Sequence, residues 1–194
     1  MLRYLENPEL NRKILHMVFG LGLAVSFKLN KEIANILLII LAACILSFDF
    51  ICKKFITNID FKKRLYRSSE LNLERKTTGA TWFGLGIVFI VPFGCDVYLV
   101  PMLILAFCDS LSSLIGRRYG KHKLFSTSRS LEGFLAFVSG FAIVAPIAIF
   151  AGCVLSPSAI FVCVFFCAIC ELWESVDDNF SILLGGSAVA YLLQ

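Results

Sequence analysis

The chain has 194 residues, 58% hydrophobic and only 16% charged, with a mean hydropathy of +0.82, which excludes a soluble domain of ordinary composition and marks a polytopic membrane protein. The net charge of +4 comes from 18 Lys and Arg against 14 Asp and Glu, and because the cations sit in a few segments they carry topology; no nucleic-acid partner is expected. Of the eight cysteines most lie in apolar runs and read as small hydrophobes; the CxxC pair Cys167 and Cys170 has no second pair and no nearby His, so no zinc site is expected there.

In chain order, the polar start MLRYLENPELNRK is unlike a cleavable signal peptide, so the first apolar run is expected to stay as an anchor. Apolar runs fall near 14–29, 33–51, 77–94, 97–116, 132–154, 158–173 and 180–193. The expected fold is an all-α, polytopic transmembrane helical bundle of about seven spans in a single domain over 1–194. Six is the alternative count, because the last run is short and the third contains Gly84 and Gly86.

Arg3, Arg12 and Lys13 precede the first run, segment 52–76 carries eight basic residues, and segment 117–130 adds Arg117, Arg118, Lys121, Lys123 and Arg129. The turns near 95 and 155 have none. By the positive-inside rule the N-terminus and both basic loops are cytoplasmic. With seven spans the acidic turn at 174–179 joins them, so four polar segments distant in sequence are expected to meet at one membrane face.

Each segment offers chemistry. Arg12, Lys13 and His16 are placed to reach an anion at the interface or to anchor the first span. Arg75, Lys76, Thr77, Thr78 and Gly79 open the third span with two cations and two hydroxyl caps, where backbone N–H groups bind anions readily. Asp109 is an acid set inside an apolar run, which costs roughly 2.5–3.5 kcal/mol on insertion scales. On a helix it shares a face with Ser112, Ser113 and Gly116.

A carboxylate that can hold Mg²⁺, followed by cations that neutralise phosphate oxygens, is what phosphoryl or nucleotidyl transfer requires. GRRYGK at 116–121 is one residue short of a Walker spacing, although Gly116 and Gly120 let backbone approach a phosphate. Ser130 reads as a helix N-cap, with Glu132 in the first turn as dipole partner or as part of the site. Asp177, Asp178 and Asn179 suit either a cap for the last helix or a hard cation. Lys53, Lys54, Lys62, Lys63 and Arg64 read as topology signals rather than as a site.

Taken in order, RKxxH at 12–16, RKTTGATWFGLG at 75–86, the D-to-GRRYGKHK stretch with SLEG at 130–133, and ELWESVDDN at 171–179 resemble the CTP-dependent lipid kinases. That family includes dolichol kinase, phytol kinase and the CTP-using diacylglycerol kinase. The resemblance implies transfer of the γ-phosphoryl group of CTP, with Mg²⁺, to the hydroxyl of a membrane lipid alcohol. Its recurrent positions fall on Arg12, Lys13, Asp109, Gly116, Gly120, Lys121, Glu132, Gly133, Asp178 and Asn179. Arg129 stands where a lysine is more usual.

The resulting expectation is catalysis by Asp109, Glu132, Arg12 and Lys13. Nucleotide binding falls to Arg75, Lys76, Thr78, Gly116, Arg117, Arg118, Gly120, Lys121, Lys123, Arg129 and Gly133, and the metal to Asp109, Asp177, Asp178 and Asn179. The central half also resembles phosphatidate cytidylyltransferase, but that family's His-Gly-Gly and Asp-Arg-x-Asp segment is absent, so CDP-diacylglycerol synthesis is the alternative. A small transporter using Asp109 is the non-enzyme alternative. The small size suggests a prokaryotic cytoplasmic-membrane enzyme. The acceptor alcohol and the oligomeric state are left open.

Overall fold

The computed structural model describes residues 8–55, 78–124, 129–172 and 177–194. Arg75, Lys76, the cluster Lys62, Lys63, Arg64 and Arg67, and Glu174 lie outside the described residues.

Each expected apolar run is helical where described, and the described residues form seven rods: α1 (Pro8–Leu29), α2 (Lys31–Phe55), α3 (Gly79–Ile90), α4 (Cys95–Tyr119), α5 (Leu131–Ala151), α6 (Pro157–Glu171) and α7 (Asp178–Leu192). By length and composition α2, α4 and α5 can cross a bilayer, which supports an integral membrane protein. The 15 residues of α6 rise only about 22 Å, short of the roughly 30 Å hydrocarbon layer. The seven runs are therefore seven rods of unequal length, three of them both long and apolar enough to span on their own.

Local chemistry sets the ends. α1 is helical from Pro8, the first described residue, ahead of the apolar run, so Arg12, Lys13 and His16 sit on a helix rather than in a loop. Asn30 accepts from the amides of Glu32 (2.8 Å) and Ile33 (3.2 Å) and so opens α2. Thr78 caps α3 in a reciprocal box with Thr81, and α3 ends in a 3-10 turn at Val91–Phe93 followed by Gly94 at φ 88°, a backbone that side chains rarely adopt. Ser156 caps α6 with Pro157 in the first turn, and Ser130 caps α5 by accepting from the Gly133 amide at 3.2 Å.

α4 is the centre of the bundle. Of its most apolar stretch 72% is buried inside the protein, against 22% for α2, so α4 is covered by helices while α2 presents Ile36, Ile39 and Ile40 outward, as a lipid-facing helix does. Within α4 the α-helix breaks after Pro101 into a π-helical segment, Ile104–Cys108, that ends where Asp109 begins. Such segments insert one residue into a turn and re-aim the side chains beyond it, and they concentrate at functional sites. Small residues make room for this segment: a Cβ on Gly20 of α1 would stand 2.6 Å from the Ala106 Cβ, and one on Gly140 of α5 2.6 Å from the Cys108 sulfur. Close backbone approach over glycine is how helices pack tightly in lipid.

The two ends of the bundle differ. At one end Lys31 bonds Asp96 at 2.7 and 2.8 Å, and the Tyr98 hydroxyl donates to Asn35 at 2.6 Å. The other end gathers Lys13, Asp109, Ser112, Glu171 and Asn179, all of them buried. Cys167 lies in the core with its sulfur 3.7 Å from the Ile182 carbonyl, and all the described cysteines are free thiols.

Candidate active site

Asp109 emerges from the π-helical segment fully buried, and the ammonium of Lys13, itself 2% exposed, donates to its Oδ2. The other oxygen, Oδ1, is buried with no hydrogen-bond partner. A buried ion pair is costly to desolvate, and removing one partner typically costs about 3–5 kcal/mol. Sequence reasoning set Asp109 on a metal and Lys13 on a phosphate; the structure brings the two together as one pair bridging α1 and α4. One helical turn beyond Arg12, His16 stacks on Phe83 of α3 with ring centroids 5.1 Å apart. Arg12 itself is half-buried.

Beside this pair, a cavity of about 480 Å³ opens between the end of α4, the basic loop, the start of α5, the end of α6 and the start of α7. Its cationic wall is Arg117, Lys123 and Arg129, its acidic wall Glu171 and Asp178, its hydroxyl wall Ser112, Ser113 and Ser130, and its apolar side Phe134 and Leu172. The stems of the basic loop are tied by an antiparallel bridge between Lys123 and Ser130, with the Leu124 amide on the Arg129 carbonyl at 3.1 Å and the Leu131 amide on the His122 carbonyl at 2.8 Å. This fixes Arg129 at the mouth of α5.

From there its guanidinium spans two helices: Nη1 donates to Glu171 Oε1 at 2.9 Å and Nη2 to Asp178 Oδ2 at 3.2 Å. Burial works against the cation, but the charges of Glu171 and Asp178, with Asp109 behind them, outweigh it and hold the pKa of Arg129 above its usual value. A planar fork can serve two carboxylates in fixed directions, which a lysine ammonium does less well. Glu171, 3% exposed, also accepts from the Ser112 hydroxyl at 2.9 and 3.1 Å.

The remaining expected residues take several places. Gly116 and Gly133 lie against each other where α4 crosses α5: a Cβ on Gly133 would stand 3.3 Å from the Gly116 Cα and from the Ser112 carbonyl. Gly120 lines the cavity, while Arg118 and Lys121 are exposed and outside its wall. Glu132 binds the ring and amide of His122, at 2.7 Å and 3.3 Å, and is not in the cavity wall. Asp177 caps α7 through the Asn179 amide at 3.0 Å, and the Asn179 side-chain amide donates to the Gly79 carbonyl at 3.3 Å, which docks α7 on α3. The Asn179 Oδ1 is buried without a partner. Among the described residues no three His, Cys, Asp or Glu side chains stand close enough to hold a metal by themselves.

Sequence reasoning missed two carboxylates. Glu171 reads as the polar end of an apolar run, and only its position at the start of ELWESVDDN signals it. Asp49 sits in the second apolar run as Asp109 does in the fourth; it is 4% exposed and accepts from Thr78 at 2.9 Å and Thr81 at 2.5 Å. The Thr78 hydroxyl, expected to meet a nucleotide, is thus engaged with a carboxylate of α2.

Comparison with known proteins bears on what this end of the bundle does. No family model matches the chain, and no solved structure does. An uncharacterised protein of Methanocaldococcus jannaschii is 33% identical over 135 residues, 66% of each chain. Dolichol kinase of Schizosaccharomyces pombe is 49% identical over 39 residues, 20% of this chain and 8% of that enzyme. The CTP-dependent diacylglycerol kinase of Eremothecium gossypii is 42% identical over 65 residues, 32% of this chain and 20% of that enzyme. The chain therefore spans 66% of the archaeal relative and a fifth or less of the two kinases. The similarity to two kinases of lipid alcohols supports the CTP-dependent lipid kinase family.

Proposed function

We propose that the protein is a membrane lipid kinase that transfers the γ-phosphoryl group of CTP to the hydroxyl of a lipid alcohol, a polyprenol, a phytol-like isoprenoid or diacylglycerol. The observation that carries this reading is the cavity at one end of the bundle, where Arg117, Lys123 and Arg129 face Asp178 and Glu171 beside the buried Lys13–Asp109 pair. The partial similarity to two lipid kinases agrees with it.

In phosphoryl transfer little covalent chemistry falls to the protein, so positioning and charge carry the rate. Arg117, Lys123 and Arg129 bind the phosphate oxygens, and Lys13 and Arg12 add positive charge behind them. The glycines at the α4–α5 crossing keep the two helix ends close, and Glu132 holds the basic loop to α5 through His122. Arg75 and Lys76, outside the described residues, are assigned to nucleotide binding on their sequence pattern alone.

The oxygen donors fit Mg²⁺, a hard cation that takes one or two carboxylates and completes its shell with phosphate and water. Asp109 Oδ1 and Asn179 Oδ1 are buried oxygens with no hydrogen-bond partner, and the Asp178 carboxylate lines the cavity. These residues would hold it, with Asp177 adjacent. Bound there, the ion would neutralise charge on the transferring phosphoryl group.

By the positive-inside rule this end faces the cytoplasm, the N-terminus with it; in a prokaryote it lies at the inner face of the cytoplasmic membrane. The test is an assay of the solubilised protein with CTP labelled at the γ- or the α-phosphate, against polyprenols, phytol, diacylglycerol and phosphatidate. Gamma label is expected in an alcohol. Alpha label in phosphatidate would make the protein a cytidylyltransferase, and vectorial uptake by proteoliposomes without label transfer would make it a transporter.

A further inference from the structure

A kinase acting on an alcohol needs a group that holds the acceptor hydroxyl and takes its proton. Glu132, expected from the sequence to serve catalysis, is occupied by His122 outside the cavity wall, and Asp109 is paired with Lys13 and assigned to the metal. We infer that Glu171 is the catalytic residue that receives the hydroxyl of the lipid acceptor. This rests on the kinase reading and assigns its acceptor side.

Four observations converge on Glu171. It is a buried carboxylate in the cavity wall. It already accepts a hydroxyl, that of Ser112, so a hydroxyl donor has a place of the right geometry beside it. Arg129 takes Oε1 at 2.9 Å, while among the described residues Oε2 receives only the longer, 3.1 Å arm of the Ser112 bond and has room for a further donor. Finally, Glu171 shares the cavity wall with the apolar residues Leu172 and Phe134.

From Phe134 an aromatic row continues along the bundle: Phe165 at 6.3 Å, then Phe161 at 6.4 Å and Phe141 at 5.4 Å. Phe165 and Phe161 are 44% and 43% exposed on the outer face of α6. An acyl or isoprenoid chain laid on this row between α5 and α6 brings its hydroxyl to Glu171, next to Arg129, with Arg117 and Lys123 also in the cavity wall. The hydroxyl oxygen forms the new bond to the γ-phosphorus, the bond from that phosphorus to the bridging oxygen breaks with its electron pair leaving on CDP, and the hydroxyl proton passes to Glu171 Oε2 and then to water.

The test separates transfer from nucleotide binding. Wild type, Glu171→Gln and Glu171→Asp are compared for γ-label transfer to the accepted alcohol and, separately, for equilibrium CTP binding. Glu171→Gln is expected to lose roughly 10²–10⁴-fold in kcat, with the CTP Kd within about 3-fold of wild type. Glu171→Asp keeps the charge on Arg129 but withdraws the carboxylate by one methylene, and is expected to lose transfer with CTP binding intact; it decides the matter should the Gln variant fail to fold.

Transfer by Glu171→Gln close to wild type overturns the assignment. So does a loss of CTP affinity in proportion to kcat, which would make Glu171 a holder of Arg129 alone. Both results leave the kinase standing, whereas a wild type that moves no γ-label to any alcohol removes the kinase and this residue's role together.

Discussion

Replacing Asp109 by Asn removes one charge from a pair whose side chains are 2% and 0% exposed and leaves the Lys13 ammonium buried opposite a neutral amide. Breaking a buried pair from one side costs about 3–5 kcal/mol, because the remaining charge has lost its partner and cannot reach water. At about 2–4 °C per kcal/mol for a chain of this size, the melting temperature should fall by roughly 6–20 °C. Removing both charges, in Lys13→Met with Asp109→Asn, deletes the uncompensated ion and should restore most of the loss. The cycle therefore has a large coupling energy, whereas unconnected sites would add.

The protein supplies its own reporter. Cys52, Cys108, Cys163 and Cys167 are fully buried, so a thiol-reactive fluorophore in detergent reports unfolding as they become accessible. Lipid kinase activity should be lost in the single and the double variant alike. A double variant no more stable than Asp109→Asn would refute the pair as the source of the effect, and an active Asp109→Asn would refute its place in the site.

Arg129→Lys keeps the charge but cannot span Glu171 and Asp178 in the same way; CTP affinity measured by equilibrium binding should fall by roughly 10-fold or more, about 1.4 kcal/mol. Gly133→Val places branched carbons against Gly116 and the Ser112 carbonyl, and the overpacking should cost about 1–3 kcal/mol in the same thiol assay, with loss of transfer. Thr78→Val removes the α3 cap and a donor to buried Asp49; a loss of about 1–3 kcal/mol is expected, read as a lower melting temperature. Lys31→Met at the far end breaks the partly exposed pair with Asp96, worth about 0–1 kcal/mol, and label transfer should stay at the wild-type level.

The helices were legible because their signal is the length of apolar runs, and the breaks were legible because Thr78, Ser130 and Asp177 are hydroxyl or carboxyl residues standing at the starts of such runs, where they cap. The π-helical segment was not, since ILAFC has no residue that announces it and its cause is tertiary: Pro101 upstream and the close faces of Gly20 and Gly140 around it. In the site, single polar residues in apolar surroundings drew attention to Asp109 for a physical reason, the cost of the charge, and the same reasoning applied to Asp49 would have found it. Partners are another matter. That Lys13 would meet Asp109, and Arg129 both Glu171 and Asp178, depends on how rods cross, which periodicity does not encode.

The two ends of the bundle make the functional argument by contrast. Each carries a lysine–aspartate pair, but Lys31 and Asp96 are 48% and 34% exposed, while Lys13 and Asp109 are 2% and 0%. The exposed pair costs little to keep and gains little. The buried pair is expensive to desolvate, and well-packed apolar residues of similar size are often as stable or more so. Packing alone therefore explains the first pair and not the second. The second pair lies beside a cavity lined by Arg117, Lys123 and Arg129 together with Asp178 and Glu171, where a phosphate chain needs cations and a transferring group needs carboxylates held apart from water. The excess cost at one end of the molecule falls where the proposed chemistry requires it.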